Sequence, residues 1–376
     1  MFVVPFSDIG GSEQYVLDHL RCLDRAKYEP LLVSLRPGDI VEAARALGVP
    51  SFALQPHKTR EIPKVLAAIR ELSHIIKQER IDLVFGNQGS MLLYCGLAAM
   101  PLRRPVVWAV HDPLKGSGVF ERAFVTAQRR IRPAWTIANS PSTLESYLSA
   151  YPNIRGRHSV IFPGTDLALL AEGADAARAR TKFRIPDHAP LISQLARLQS
   201  SKGHLDLIPA AVKVLNCYPD TRFLIVGDTQ FGIEPEYKAR VLSAIAEANI
   251  SNSVLMPGYV SEPDKRDILA ATDILVHPAA WEPFGISVIE GMGAGKPVVA
   301  AASAGPSLSV VHGQTGYLSP IADSERLADA ILKLLNDPAG AKAMGAAGQQ
   351  RVLENYTVQG MVRQTESIFD SLLLNR

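Results

Sequence analysis

Cysteine is scarce in this chain. Cys22, Cys95 and Cys217 are odd in number and far apart, so neither a disulfide framework nor a metal-ligand spacing can be built from them, and a reducing cytoplasm is expected. Long apolar runs are missing too. The longest candidate, Met91 to Pro101, is too short to cross a bilayer, and a first strand predicted from Phe2 leaves no room for a leader peptide. No D-x-D pair occurs either. A large excess of charge is absent as well: the formal net charge is +2, which argues against a nucleic-acid binder. The balance is uneven, however. Residues 1–165 carry 20 Lys+Arg against 14 Asp+Glu, or +6, and the rest 19 against 23, or −4. A basic first half suits an acidic acceptor or an anionic membrane surface, although scattered surface charge explains it equally well.

What is present is an alternation. At 376 residues the chain is too long for one ordinary core, so two domains are expected. Short apolar strands are predicted at Phe2–Pro5, Pro30–Leu35, Leu83–Phe85, Val106–Val110, Thr136–Ala138 and Ser159–Ile161, separated by helical patterns near Ser12–Leu23, Pro63–Glu79, Met91–Ala99 and Pro141–Leu148. A polar, Ala-rich stretch interrupts the rhythm within a linker near residues 163–187. Strands then resume at Leu191–Leu195, Phe223–Val226, Val254–Met256, Ile274–His277 and Val298–Ala300. Strands alternating with helices imply βαβ units and parallel sheets. The reading is α/β: two Rossmann-like, doubly wound domains facing across a cleft, residues 1–165 and 166–357, with a final helix at about 358–376 packing back on the first. Ligands of such sheets bind at the carboxyl ends of the strands.

One segment there is dense in chemistry. Glu282 and Glu290 stand eight residues apart in Trp281-Glu282-Pro283-Phe284-Gly285-Ile286-Ser287-Val288-Ile289-Glu290. The first follows a strand as a loop carboxylate; the second lies inside a helix that begins near Gly285. Carboxylates accept hydrogen bonds from hydroxyls, and a helix N-terminus offers N–H groups and a positive dipole end to an anion. Sugar hydroxyls at both ends of a ligand with a diphosphate between them, as in a nucleotide sugar, fit that arrangement. Other strand ends add candidates. Arg197 and Lys202 lie on one strand-to-helix loop and suit a diphosphate, although two solvated cations there are as plausible. Gly10-Gly11-Ser12-Glu13 follows the first strand, where a plain turn with capping residues is the simpler reading; the pair is not G-x-G-x-x-G, so a nicotinamide site finds no support. Val226-Gly227-Asp228 and Gly258-Tyr259-Val260 are turns whose backbone could read a base. His111 closes a strand and could move a proton or hydrogen-bond a sugar.

Taken together, these residues resemble the retaining glycosyltransferases of family 4, which have the GT-B architecture. The likeness covers most of the chain in order: the glycine loop (Gly10, Gly11, Glu13), His111, Phe162-Pro163-Gly164-Thr165-Asp166, Arg197, Lys202-Gly203, Gly258-Tyr259, the E-x7-E pair, Gly295-Lys296-Pro297-Val298-Val299 and Gly313-Gln314-Thr315-Gly316-Tyr317. The resemblance implies that Arg197, Lys202, Gly11 and Gly285 hold the donor diphosphate, and that Glu282, Phe284, Gly285 and Ile286 meet the transferred sugar. It implies that Glu290 holds the ribose, with Gly258, Tyr259 and Val260 beside the base, and that Glu282 and His111 serve the chemistry. The chain departs from the pattern after Val298–Ala300, where Ala304 replaces a glycine and Leu308 a glutamate.

The function implied is metal-independent transfer of a sugar, with retention, from a nucleoside-diphosphate donor, uridine- or guanosine-linked, to an acceptor hydroxyl of a glycan, a lipid-linked molecule or a small molecule. No cofactor and no metal is expected. A non-catalytic nucleotide-sugar-binding subunit and a sugar phosphorylase or epimerase of the same architecture are the alternatives. The helix Pro63–Glu79, with Lys64, Arg70 and Lys77 and with Arg80 just beyond it, reads first as an ordinary surface helix. Peripheral contact with the inner face of a membrane through this domain is the second reading.

Overall fold

The structure is a computed structural model that describes residues 1–58, 60–112, 125–151, 154, 157–229 and 234–374. It divides into two compact units, Met1–Gly164 with Val358–Arg376, and Thr165–Thr357.

The first unit carries a seven-stranded sheet: β1 (Phe2–Val4), β2 (Leu32–Ser34), β3 (Ser51–Ala53), β4 (Val84–Asn87), β5 (Val106–Val110), β6 (Trp135–Ala138) and β7 (His158–Val160). Its order is β3-β2-β1-β4-β5-β6-β7 and every pairing is parallel. Successive side chains of β1 take opposite faces, as the pleat requires. Phe2 and Val4 join a core with helix Gly11–Cys22 and the C-terminal helix Val358–Leu373. Val3 joins a second core with helices Ile62–Gln78 and Met91–Ala99. Burial on both faces is why these strands read as continuous apolar runs.

The second unit repeats the plan with six strands: β8 (Leu191–Leu195), β9 (Arg222–Val226), β10 (Val254–Gly258), β11 (Ile274–His277), β12 (Val298–Ala301) and β13 (Gly316–Ser319), in the order β10-β9-β8-β11-β12-β13. In each sheet the chain starts in the middle, winds one way, then returns to wind the other. The two switch points therefore fall between β1 and β4 and between β8 and β11. Loops diverge there and leave a crevice beyond the strand tips.

The expected linker near residues 163–187 is more ordered than its composition suggested. It contains helices Leu167–Ala171 and Ala176–Lys182, N-capped by the carboxylates of Asp166 and Asp175. Arg178 anchors the second helix to buried Asp267. The final helix packs on Gly11–Cys22, where the buried His19 ring lies 3.0 Å from the Thr365 hydroxyl.

Candidate functional site

The switch point of the second sheet gathers most of the motif residues. After β8 the chain passes Arg197, which is exposed, and enters a short turn, Ser200–Lys202. Gly203 follows at φ +70°, and a Cβ there would stand 2.1 Å from the Pro278 carbonyl oxygen. Only glycine permits that approach, and it seats the Lys202 loop directly on the loop after β11. Trp281 N–H donates to the Ser201 carbonyl at 3.4 Å, and the Gln194 amide donates to the Lys202 carbonyl at 2.8 Å.

The result is a buried ionic cluster. Lys202 Nζ lies 2.7 Å from Oε2 of Glu282, with the two side chains 10% and 13% exposed. His277, the last residue of β11, places Nε2 3.1 Å from the same oxygen. Oε1 of Glu282 makes no hydrogen bond among the described residues. Burial raises this carboxyl's pKa, but the Lys202 ammonium and the His277 hydrogen bond outweigh it and hold the group well below the usual carboxylate range. Glu282 is therefore ionised at any ordinary pH and acts as an acceptor only.

Gly285 next adopts φ +93° and opens helix Ile286–Gly293. The first-turn N–H groups of Ile286 and Ser287 have no intrahelical partner and form the positive end of the helix dipole. The segment is braced from behind. Gly305 N–H donates to the Glu282 carbonyl at 2.8 Å, and a Cβ on Gly305 would meet Phe284 Cα at 2.4 Å. Leu308, at the departure from the family pattern, lies in the short helix Pro306–Ser309. Its carbonyl accepts from Tyr356 Oη at 2.9 Å and Arg351 Nη2 at 3.0 Å.

Further residues ring this centre. Glu290, one face along the same helix, pairs with Lys265 at 2.8 Å, and Lys265 also meets Glu262 at 2.9 Å. The loops after β8, β9 and β10 are laced by backbone bonds, Leu198 N–H to the Asp228 carbonyl at 3.1 Å and Gly227 N–H to the Gly258 carbonyl at 2.9 Å. Tyr259 projects from them 65% exposed, with Val260 beside it.

Gly11 and His111 belong to the first unit, at the strand tips beside its own switch point. Gly11 is exposed and opens its helix; Glu13 is buried and turns back to accept from Gly10 N–H at 3.3 Å, so it caps the helix. Asn87 donates through Nδ2 to the Ser12 carbonyl at 2.9 Å, which turns its Oδ1 toward His111 Nε2 at 2.7 Å. Nε2 of His111 therefore carries the ring proton and Nδ1 presents a lone pair. Burial, reinforced by nearby His19, pushes the His111 pKa down to about 3, so the ring is neutral near pH 7. Between Asn87 and this tip sits Gln88, a non-glycine at φ +84°, held by Trp108 Nε1 donating to its carbonyl at 3.0 Å.

Sequence reasoning missed His277, Ser287 and Lys265. His277 looked like the end of an apolar strand; the signal was its position five residues before Glu282 at a strand tip. Among the described residues no cluster of His, Cys, Asp and Glu is arranged to hold a metal ion, and no helix is long and apolar enough to cross a membrane.

Comparison with known proteins bears on the family and the fold. Residues 9–169 match the family described as Glycosyltransferase Family 4, and residues 175–351 match Glycosyl transferases group 1. A GDP-mannose-dependent monoacylated alpha-(1-6)-phosphatidylinositol monomannoside mannosyltransferase of Corynebacterium glutamicum is 27% identical, over 80% of this chain and 79% of that one. A D-inositol 3-phosphate glycosyltransferase of Corynebacterium aurimucosum is 26% identical, over 96% and 91%. The crystal structure of Anabaena Alr3699/HepE in complex with UDP and glucose superposes with a TM-score of 0.83 at 25% identity, covering 98% of both chains. Two Rossmann-like sheets of the same winding, the ordered motifs and these likenesses converge: the chain belongs to the family 4 glycosyltransferases of GT-B fold and is a glycosyltransferase that uses a nucleotide sugar.

Proposed function

We propose that this protein transfers a hexosyl group with retention of anomeric configuration, without a metal, from a UDP- or GDP-linked sugar to an acceptor hydroxyl. The observation that carries the reading is the Lys202–Glu282–His277 cluster at the β8/β11 switch point, beside a helix N-terminus. Sugar-hydroxyl acceptor and diphosphate-binding donors stand together there.

In this mechanism the bond between the anomeric carbon and the diphosphate oxygen breaks while positive character grows on the sugar. Charge on the departing diphosphate is met by Lys202, Arg197 and the N–H groups after Gly285, already oriented before reaction. Gly11 supplies backbone close to the diphosphate. Glu282 accepts hydroxyls of the transferred sugar through Oε1, and Phe284 and Ile286 line its pocket. Glu290 accepts the ribose hydroxyls, and the backbone at Gly258, Tyr259 and Val260 borders the base. His111, neutral, hydrogen-bonds the sugar near the reacting carbon. The acceptor oxygen attacks from the face the diphosphate leaves, and its proton passes to a phosphate oxygen of the leaving group. Cationic side chains and a helix end do the work a metal does elsewhere.

The acceptor is a glycan, a lipid-linked molecule or a small molecule. A lipid-linked acceptor is favoured by helix Ile62–Gln78, which exposes Ile62 and Leu66, 56% and 46%, one turn apart, with exposed Lys64, Arg70 and Lys77. The test is incubation with a panel of nucleotide sugars and acceptors, following nucleoside diphosphate release. Proton coupling at the new anomeric centre reports retention, activity in EDTA reports metal independence, and sedimentation with anionic against neutral vesicles reports the membrane contact. Release of sugar phosphate in place of nucleoside diphosphate would overturn the reading.

A further inference from the structure

We propose that His277 is a positioning residue: it fixes one oxygen of Glu282 so that the other is aimed at the transferred sugar. The inference rests on the nucleotide-sugar reading above and deepens it.

His277 is 2% exposed, and both its ring nitrogens are engaged by polar groups of the same strand-loop-helix unit. Nε2 lies 3.1 Å from Glu282 Oε2, and Nδ1 lies 3.2 Å from Ser287 Oγ. An ionised carboxylate can only accept, so Nε2 must donate. Nδ1 and the Ser287 hydroxyl share the second hydrogen bond. Ser287 stands in the first turn of helix Ile286–Gly293. A chain of hydrogen bonds thus runs from the helix start through Ser287 and His277 to Glu282.

Lys202 reaches the same Oε2 at 2.7 Å. A lysine ammonium on a flexible stem sets charge but little direction; a buried imidazole with both nitrogens tied sets direction. The two together saturate Oε2 and leave Oε1 as the oxygen open to a sugar hydroxyl. A residue that merely filled space at the end of β11 would need no donor on that side and no hydroxyl behind it.

The test compares wild type, His277→Leu, His277→Gln and Ser287→Ala for turnover, for affinity to the nucleoside diphosphate alone, and for thermal unfolding. His277→Leu should lower kcat about 10- to 100-fold, the range for a lost orienting partner, while nucleoside diphosphate affinity stays within about 2-fold. His277→Gln restores a donor to Oε2 and should recover kcat to within about 5-fold of wild type. Ser287→Ala leaves the imidazole in place and should lower kcat about 3- to 5-fold, the effect of one lost neutral hydrogen bond. If His277→Leu does not fold, Ser287→Ala and His277→Gln carry the comparison. Wild-type turnover in His277→Leu or Ser287→Ala overturns the proposal. So does equal impairment of His277→Leu and His277→Gln, or loss of diphosphate affinity in step with kcat. Absence of transfer by wild type from every donor sinks the underlying reading instead, whatever the variants do.

Discussion

The site turns on a few side chains whose neighbours decide what they can do. Glu282 is an ordinary carboxylate in composition, but two donors on one oxygen keep it charged and leave the other oxygen for a ligand. Glu282→Gln should therefore cut turnover on the order of 10²–10³-fold, the loss seen when one preorganised group is removed. Calorimetric affinity for nucleoside diphosphate, which does not touch the sugar pocket, should stay nearly unchanged. Lys202→Ala acts differently, because it strands a buried carboxylate. It should weaken diphosphate binding and also destabilise the fold by up to about 3 kcal/mol, visible as a lower urea midpoint. Gly203→Ala tests the same contact from the backbone. A left-handed residue and a Cβ 2.1 Å from the Pro278 carbonyl should together lose more than about 1–3 kcal/mol and separate Lys202 from Glu282. A differential scan with and without nucleotide would show both.

Among the elements, the central strands and the edge strands β7 and β10 were legible in sequence, whereas the edge strands β3 and β13 were not. β8 and β11 are buried on both faces and read as apolar runs. β3, three residues long at the sheet edge with Phe52 and Ala53 exposed, and β13, with two half-buried positions, left too short or too mixed a pattern. Helix Pro338–Asn355 was hidden by Gly340, Gly345 and Gly348, which composition alone reads as breakers. Packing explains one of them: a Cβ on Gly345 would meet the Gly295 carbonyl oxygen at 2.1 Å, so that glycine lets a helix lie against a turn. Glu282, Lys202 and Gly203 announced themselves by motif spacing, whereas His277 did not, because its role exists only once strand register sets it beside Glu282. The C-terminal helix was expected at about 358–376, and its worth can be measured. Phe369 is 4% exposed and sits edge-on to Phe85 and Phe2. Phe369→Ala should destabilise the first unit by about 3–5 kcal/mol, read as faster proteolysis within residues 1–164.

At the scale of the molecule, two units with separate cores need not unfold together. Nucleoside diphosphate at about 100 times its Kd should add about 2.7 kcal/mol to the transition of the Thr165–Thr357 unit, which supplies Lys202 and the helix start after Gly285, and should shift that of the other unit less. Both units carry buried neutral histidines. Burial lowers His19 to about 4 and His111 to about 3 in the first, and His204 to about 4 in the second. The unfolded chain takes up protons on these rings near pH 6.5 and the folded one does not. Stability is therefore full above pH 6.5 and falls as the pH drops toward 4, by on the order of 1.4 kcal/mol per pH unit for each such ring. Urea midpoints at pH 7.5, 5.5 and 4.5 should decline in that order, and His19→Gln should flatten the slope for the first unit.

The return of Val358–Leu373 to the first unit also sets an order of events during biosynthesis. Residues 1–164 must wait for Val358–Leu373 to cover Phe2, Phe85 and Ile137. A nascent chain halted between residues 164 and 358 presents an apolar strip to chaperones, and a lesion within Val358–Leu373 harms the unit built from residues 1–164.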